Sequence, residues 1–164
     1  MATPTNLPSS FTVGQVLTAA QMNDVRGAFR ILQVVTGTYS TAYSNSTNTY
    51  TDVGVTVDIT PQATSSKVLV VANINGAFKQ TNNTAFDLEI RRGTTTIYTA
   101  TANFNTGSVL TNVGSVTLVY LDSPATTALR TYKVRGRSSA NLASVGAQLL
   151  SASDSSITVF EISA

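Results

Sequence analysis

The sequence predicts an all-β fold: an antiparallel β-sandwich, jelly-roll-like and of about eight strands, preceded by an extended N-terminal arm and one short α-helix. Three observations carry this. From Gln33 onward apolar residues alternate with polar ones, the period of a strand with one buried face. Polar turn clusters separate these segments at short intervals. Thr, Ser and Asn fill the surface positions of a chain in which only 11% of residues are charged, against roughly a quarter in an average soluble domain. Thr packs well on a pleated surface, and Ser and Asn suit turns.

Residues 1 to about 16 read as an extended arm, because Pro4 and Pro8 block helix. Thr18 and Gln21 then form a capping box, and Leu17 with Met22 a hydrophobic staple. Met22, Val25, Phe29 and Leu32 follow at three- and four-residue spacing, one apolar stripe of a helix expected to end near residues 30–32. This divides the chain into an anchoring arm and helix, 1–32, and a sandwich domain, 33–164. Within the second part, strands are expected at 33–43, 55–59, 67–78, 86–91, 95–101, 109–121, 129–138 and 156–162. The run Val68-Leu69-Val70-Val71 reads as a strand buried on both faces. Residues 60–66 and Arg92-Gly93-Thr94 read as turns. Two long uncharged loops remain, 43–50 and 139–155. The second carries Leu142, Val145, Leu149 and Leu150, and is expected to hold a short strand or to pack on a neighbour.

Composition removes several function classes. There is no Cys and no His. Disulfides, Cys nucleophiles, Ser-His-Asp triads and zinc sites built from His and Cys are therefore excluded. The first eight residues lack the basic start and apolar core of a signal peptide, and no apolar run is long enough to cross a membrane. A net charge of +2, with no cluster of Lys and Arg, argues against nucleic acid as a partner. No enzyme, cofactor or metal is expected.

A few residues carry candidate chemistry. Asp87 and Glu89 share one face of a strand, about 7 Å apart, a separation within the range glycosidases use; a solvent-facing strand decorated with charge is the plainer expectation. Asp52, Asp122 and Asp154 lie near turns without the spacing of a calcium loop. Lys133, Arg135 and Arg137 alternate on one strand. They read either as a basic stripe for an acidic partner or glycan, or as the charge that protects an edge strand. Asn45-Ser46-Thr47 and Asn82-Asn83-Thr84 match a glycosylation pattern that chance explains in so Asn- and Thr-rich a chain. Tyr39, Tyr43 and Tyr50 form a candidate sugar-stacking platform, with strand packing as the alternative.

Two stretches resemble known segments. Phe11-Thr12-Val13-Gly14-Gln15-Val16-Leu17-Thr18-Ala19-Ala20-Gln21-Met22-Asn23 is similar to an N-terminal segment of tailed-phage structural proteins, with the pattern G-x-V-L-T-A-A-x-M-N. Asp58-Ile59-Thr60-Pro61-Gln62-Ala63-Thr64-Ser65-Ser66-Lys67-Val68-Leu69-Val70 resembles a turn and strand of phage fibre and virion head domains. The resemblance implies a virion component assembled in the host cytoplasm, often trimeric, without cofactor or catalytic residues. The expected function is thus a head or tail fibre, decoration or cement protein that contacts other capsid or tail proteins through its N-terminal segment. Leu17, Met22, Val25, Phe29 and Leu32 are its expected anchoring or oligomer interface, the stripe occupying a and d heptad positions of a homo-oligomer, a trimer. The alternative is an adhesin at a fibre tip, with Tyr39, Tyr43 and Tyr50 contacting a host receptor or surface glycan.

Overall fold

The computed structural model describes residues 13, 14, 16, 18, 19, 31–80, 83–104, 108–141, 144–149 and 154–163. Its strands are β1 Ile31–Tyr39, β2 Tyr43–Asn45, β3 Thr51–Ile59, β4 Lys67–Lys79, β5 Phe86–Arg92, β6 Thr95–Asn103, β7 Leu110–Asp122, β8 Arg130–Ser138, β9 Val145–Ala147 and β10 Ser155–Ile162. All pair antiparallel, in two sheets. The second sheet runs β3-β8-β5-β6. The first is built on β4. One edge of β4 carries β7 from Val68 to Lys79; the other carries β10 at Lys67 to Asn73, then β9 at Phe78 and Lys79. Outside these lie β1 on β10 and β2 on β9. β1 and β2 thus occupy successive stretches of one strand position, and β9 and β10 of another.

The period-two pattern sorts side chains as expected. Val55, Val57 and Ile59 of β3, Val68, Val70, Ala72 and Ile74 of β4, and Phe86, Leu88 and Ile90 of β5 are all buried between the sheets. Val68-Leu69-Val70-Val71 departs from the expectation. Only Val68 and Val70 point into the core, while Leu69 and Val71 are half-buried on the opposite face. Apolar runs mark strands buried on both sides only where something covers each side, and no described residue covers this one fully. The two long loops contain β2 and β9, which pair with each other through Tyr43, Ser44 and Asn45 against Ala147, Gly146 and Val145. A short strand in the second loop was legible from its apolar residues; its partner in the first loop was not.

Leu32 does not close a helical stripe. The strand begins at Ile31, two residues before the expected boundary, and the β-branched run that follows pairs with β10. Ala19 is helical directly after Thr18; Leu17, Met22, Val25 and Phe29 lie outside the described residues.

The sheets approach closely along the β1/β3 edge. A Cβ on Gly37 would sit 2.0 Å from the Thr56 carbonyl oxygen, so only glycine fits there. Opposite, Gly54 lies at the register shift of β3 with φ +96, and the Tyr39 ring rests where its Cβ would be. Gly54→Ala meets both a left-handed backbone and an aromatic ring. It is expected to cost about 2–4 kcal/mol, read as a fall in the urea midpoint with unchanged slope. A loss under about 0.5 kcal/mol, the size of an ordinary surface substitution, would show that Tyr39 yields freely. Along the far edge the Tyr98 and Tyr120 rings, 5.7 Å apart, bridge β6 and β7.

Candidate functional site

The outer faces of the two sheets differ in kind. On the second sheet the outward positions of β8, β5 and β3 hold Lys133, Arg135, Arg137, Asp87, Glu89, Arg91 and Asp52. Register sets Arg137 opposite Asp87 and Arg135 opposite both Glu89 and Asp52. Arg137 Nε lies 3.1 Å from Asp87 Oδ2, Arg135 Nη1 3.1 Å from Glu89 Oε1, and Lys133 Nζ 2.8 Å from Asp52 Oδ2. Asp87 and Glu89 are 3% and 4% exposed, so they are not the solvent-facing decoration expected. Asp87 also accepts from the Ala102 amide, and Glu89 from the Thr96 hydroxyl. Nor does the basic stripe guard an edge. β8 is an inner strand between β3 and β5, and its cations neutralise the carboxylates on either side. Such a ladder fixes strand order and register through cross-strand opposite-charge pairs. Asp87 and Glu89 are thus each ion-paired to an arginine of β8.

The three tyrosines do not share one open surface. Tyr39 packs on the core edge at Gly54. The Tyr43 ring stacks on Phe86, with centroids 6.2 Å apart, and its hydroxyl donates to the Gly136 carbonyl at 2.6 Å. Burial pushes that phenol above its usual range. The Tyr50 ring lies under the Arg137 guanidinium, 4.6 Å from its centroid, and the Tyr50 carbonyl accepts from Arg135. Nearby, Asn45 is buried; its amide donates to the Thr49 and Gly136 carbonyls, and its oxygen accepts from Thr47. The side chain of this apparent glycosylation site is thus committed to closing its own turn.

The outer face of the first sheet is apolar at one end. Register aligns Val34, Phe160, Leu69 and Leu121 in one row across β1, β10, β4 and β7, and Thr36, Thr158, Val71 and Val119 in the next. Val34, Val119 and Leu121 are 52%, 53% and 53% exposed. Ile31, opposite Ile162, borders the patch and is 56% exposed. The following row is polar: Thr38, Ser156, Asn73 and Thr117. A contiguous apolar patch differs from scattered single exposed residues, and marks an interaction surface. The sequence carries its signal in three runs with apolar residues at both parities: 68–71, 116–121 and 157–160.

Two carboxylates tie the ends of the sandwich. Asp122 closes β7 and accepts from Arg92 and from the buried Tyr132 hydroxyl. Glu161, fully buried, accepts from Gln33 and from the backbone of residue 62. Asp52 and Asp122 are both ion-paired to cations of the second sheet, and among the described residues no group of three or more His, Cys, Asp or Glu is arranged to hold a metal ion. No helix among the described residues is long and apolar enough to cross a membrane.

No family model and no curated protein matches the chain. Among solved structures it is similar to VP2 of infectious bursal disease virus in a subviral particle, with 17% identity and a TM-score of 0.46 over 80% of this chain and 32% of that one. The chain thus spans about a third of that protein's length.

Proposed function

We propose that this chain is a non-catalytic structural component of a tailed-phage particle, a jelly-roll module attached through its N-terminal end. The observation that carries the reading is the apolar end of the first sheet's outer face. It lies where β1 begins, at Ile31, the end of the sandwich nearest in sequence to the N-terminal segment, and among the described residues its outward side chains Val34, Val119 and Leu121 are half exposed. That end is the attachment end, and the ion-paired face of the second sheet meets solvent. Strand order supports the jelly roll. Counting β1 with β2 and β9 with β10, the first sheet places the eighth position between the first and third, with the sixth outside; the second sheet runs second, seventh, fourth, fifth. This is the order of two interlocked Greek keys, an arrangement used in capsid and lectin domains. Fold alone assigns no function. The resemblance of residues 11–23 and 58–70 to phage structural proteins supports the kind of particle, and implies a trimer among the copies held there.

The test separates arm from sandwich. Deleting residues 1–19 leaves every strand. The truncated chain is expected to keep its thermal midpoint and to be missing from purified particles when co-expressed with the other particle proteins. Incorporation at the full-length level would overturn the attachment reading.

A further inference from the structure

We propose that the cleft between the β5–β6 turn and the start of β8 receives a carboxylate from the particle protein on which this chain docks, with Arg130 as its counter-ion. This rests on the reading of that end of the sandwich as the attachment end, and names the chemistry of the partner.

Pairing singles the residue out. Arg91, Arg92, Arg135 and Arg137 each have a carboxylate beside them. Arg130 is half-buried and, among the described residues, has none; its Nε is shielded and meets no acceptor. A shielded donor left without an acceptor is costly. The carboxylates nearby are already engaged. Asp122 accepts from Arg92 and Tyr132. Asp58 accepts from the Thr131 hydroxyl on the outer face of the second sheet, whereas Arg130, opposite Ile59, shares the inward parity of Tyr132 and Val134. The cleft beside Arg130 is about 410 Å³ and is also lined by Arg92, Thr94, Thr95 and Leu129, ample room for one acidic side chain. The Gly93 amide donates to the Thr131 carbonyl at 2.8 Å and holds the turn against β8. Thr94 and Thr95 are exposed there, so their hydroxyls can donate to a carboxylate that the guanidinium grips in its fork. Leu129, 59% exposed, adds an apolar wall. Asp122 follows Leu121 in β7, so the cleft opens at the same end as the row Val34, Phe160, Leu69 and Leu121. Lys67, also at that end, has its ammonium on the Ser123 hydroxyl at 2.8 Å rather than on a carboxylate. Two cations without a carboxylate beside an apolar patch fit an acidic partner; the cations on the second sheet's outer face are already neutralised.

The test compares Arg130→Glu, Arg130→Gln and Arg130→Lys in the full chain, each co-expressed with the other particle proteins. Arg130 bonds to none of the described residues, so all three are expected to keep the urea midpoint. Incorporation into purified particles should fall at least about tenfold in Arg130→Glu, the size of a lost or reversed charge contact. Arg130→Gln should fall less, and Arg130→Lys, which keeps the charge and loses the fork, should fall least. Three results would overturn the proposal: full incorporation of Arg130→Glu, a loss in Arg130→Lys as large as in Arg130→Glu, or a lowered midpoint in Arg130→Gln, which would make the residue a support of the fold. The 1–19 deletion keeps the two readings apart. Full incorporation of Arg130→Glu alongside loss of the deletion variant removes this contact and leaves the attachment reading standing. The reverse pattern keeps the contact and overturns the arm.

Discussion

Asp122→Ala is expected to cost about 3 kcal/mol of folding stability, the lower end of what breaking a buried ion pair costs. Asp122 ends β7 in the first sheet, and both of its partners are in the second. Arg92 Nη1 of β5 stands 2.8 Å from each carboxylate oxygen, and the Tyr132 hydroxyl of β8 donates to Oδ2 at 2.6 Å. Tyr132 is fully buried. Burial, then the hydrogen bond and charge of Asp122, push its phenol well above the usual range, so it stays a donor at any ordinary pH. Removing the carboxylate leaves that donor without an acceptor in the core. The guanidinium suffers less, because the Arg92 side chain keeps 23% exposure and reaches water. Tyr132→Phe alone is expected to cost about 1 kcal/mol, the net worth of one hydrogen bond. The double variant should fall short of the sum of the singles by about 1 kcal/mol or more, since Phe leaves no donor to strand. Urea denaturation of the four proteins measures this. Strict additivity would mean that Asp122 and Tyr132 do not act together.

Much of this sandwich is legible in the sequence, because a period of two leaves little freedom in assigning faces. Val55, Val57 and Ile59 point inward as their spacing requires, and the turns at 60–66 and at Gly93-Thr94 fall between strands, with Arg92 ending β5. What periodicity does not encode is which strands become neighbours. Lys133, Arg135 and Arg137 look alike whether β8 is an edge or an inner strand; only the positions of β3 and β5 decide that their partners are Asp52, Glu89 and Asp87. For the same reason Asp87 and Glu89 read as exposed when taken along β5 alone. The candidate interaction surface was hidden by a different ambiguity. Leu69 and Val71 fit a strand covered on both faces, and their exposure depends on what β1, β7 and β10 place beside them. Tyr39 and Tyr43 were ambiguous between packing and recognition. The missing side chain at Gly54 admits the Tyr39 ring, and that at Gly136 leaves room for the Phe86 ring on which Tyr43 stacks and for the Tyr43 hydroxyl.

Glu161 is expected to make the fold acid-labile at one identifiable place. Its carboxylate sits at the end of β10 with no exposure, yet it is ionised. Burial alone would push the group up; hydrogen bonds, first among them that from Gln33 and with it the residue-62 amide, outweigh that and hold it below the usual carboxylate range. Gln33 Nε2 stands at 2.6 Å and the residue-62 amide at 2.7 Å. The turn between β3 and β4, part of the stretch that resembles phage proteins, is thus wrapped around one buried anion from the far end of the chain. Because the folded pKa is depressed, the stabilisation is complete above the unfolded value of about 4.3 and is lost as pH falls through the folded pKa. Glu161→Gln keeps the shape but turns an N–H donor toward one of the donors that the carboxylate accepted from. A loss of about 2–3 kcal/mol is expected at pH 7. The gap between the two proteins should then narrow steadily as the pH falls below about 4, since protonation makes the native side chain resemble its replacement. Urea midpoints measured across that range test the sign. A gap of constant size would show that Glu161 stabilises the turn by packing rather than by charge. Amide exchange should locate the effect, with Gln62 and Ala63 losing protection in the variant before the residues of β4 and β10 do.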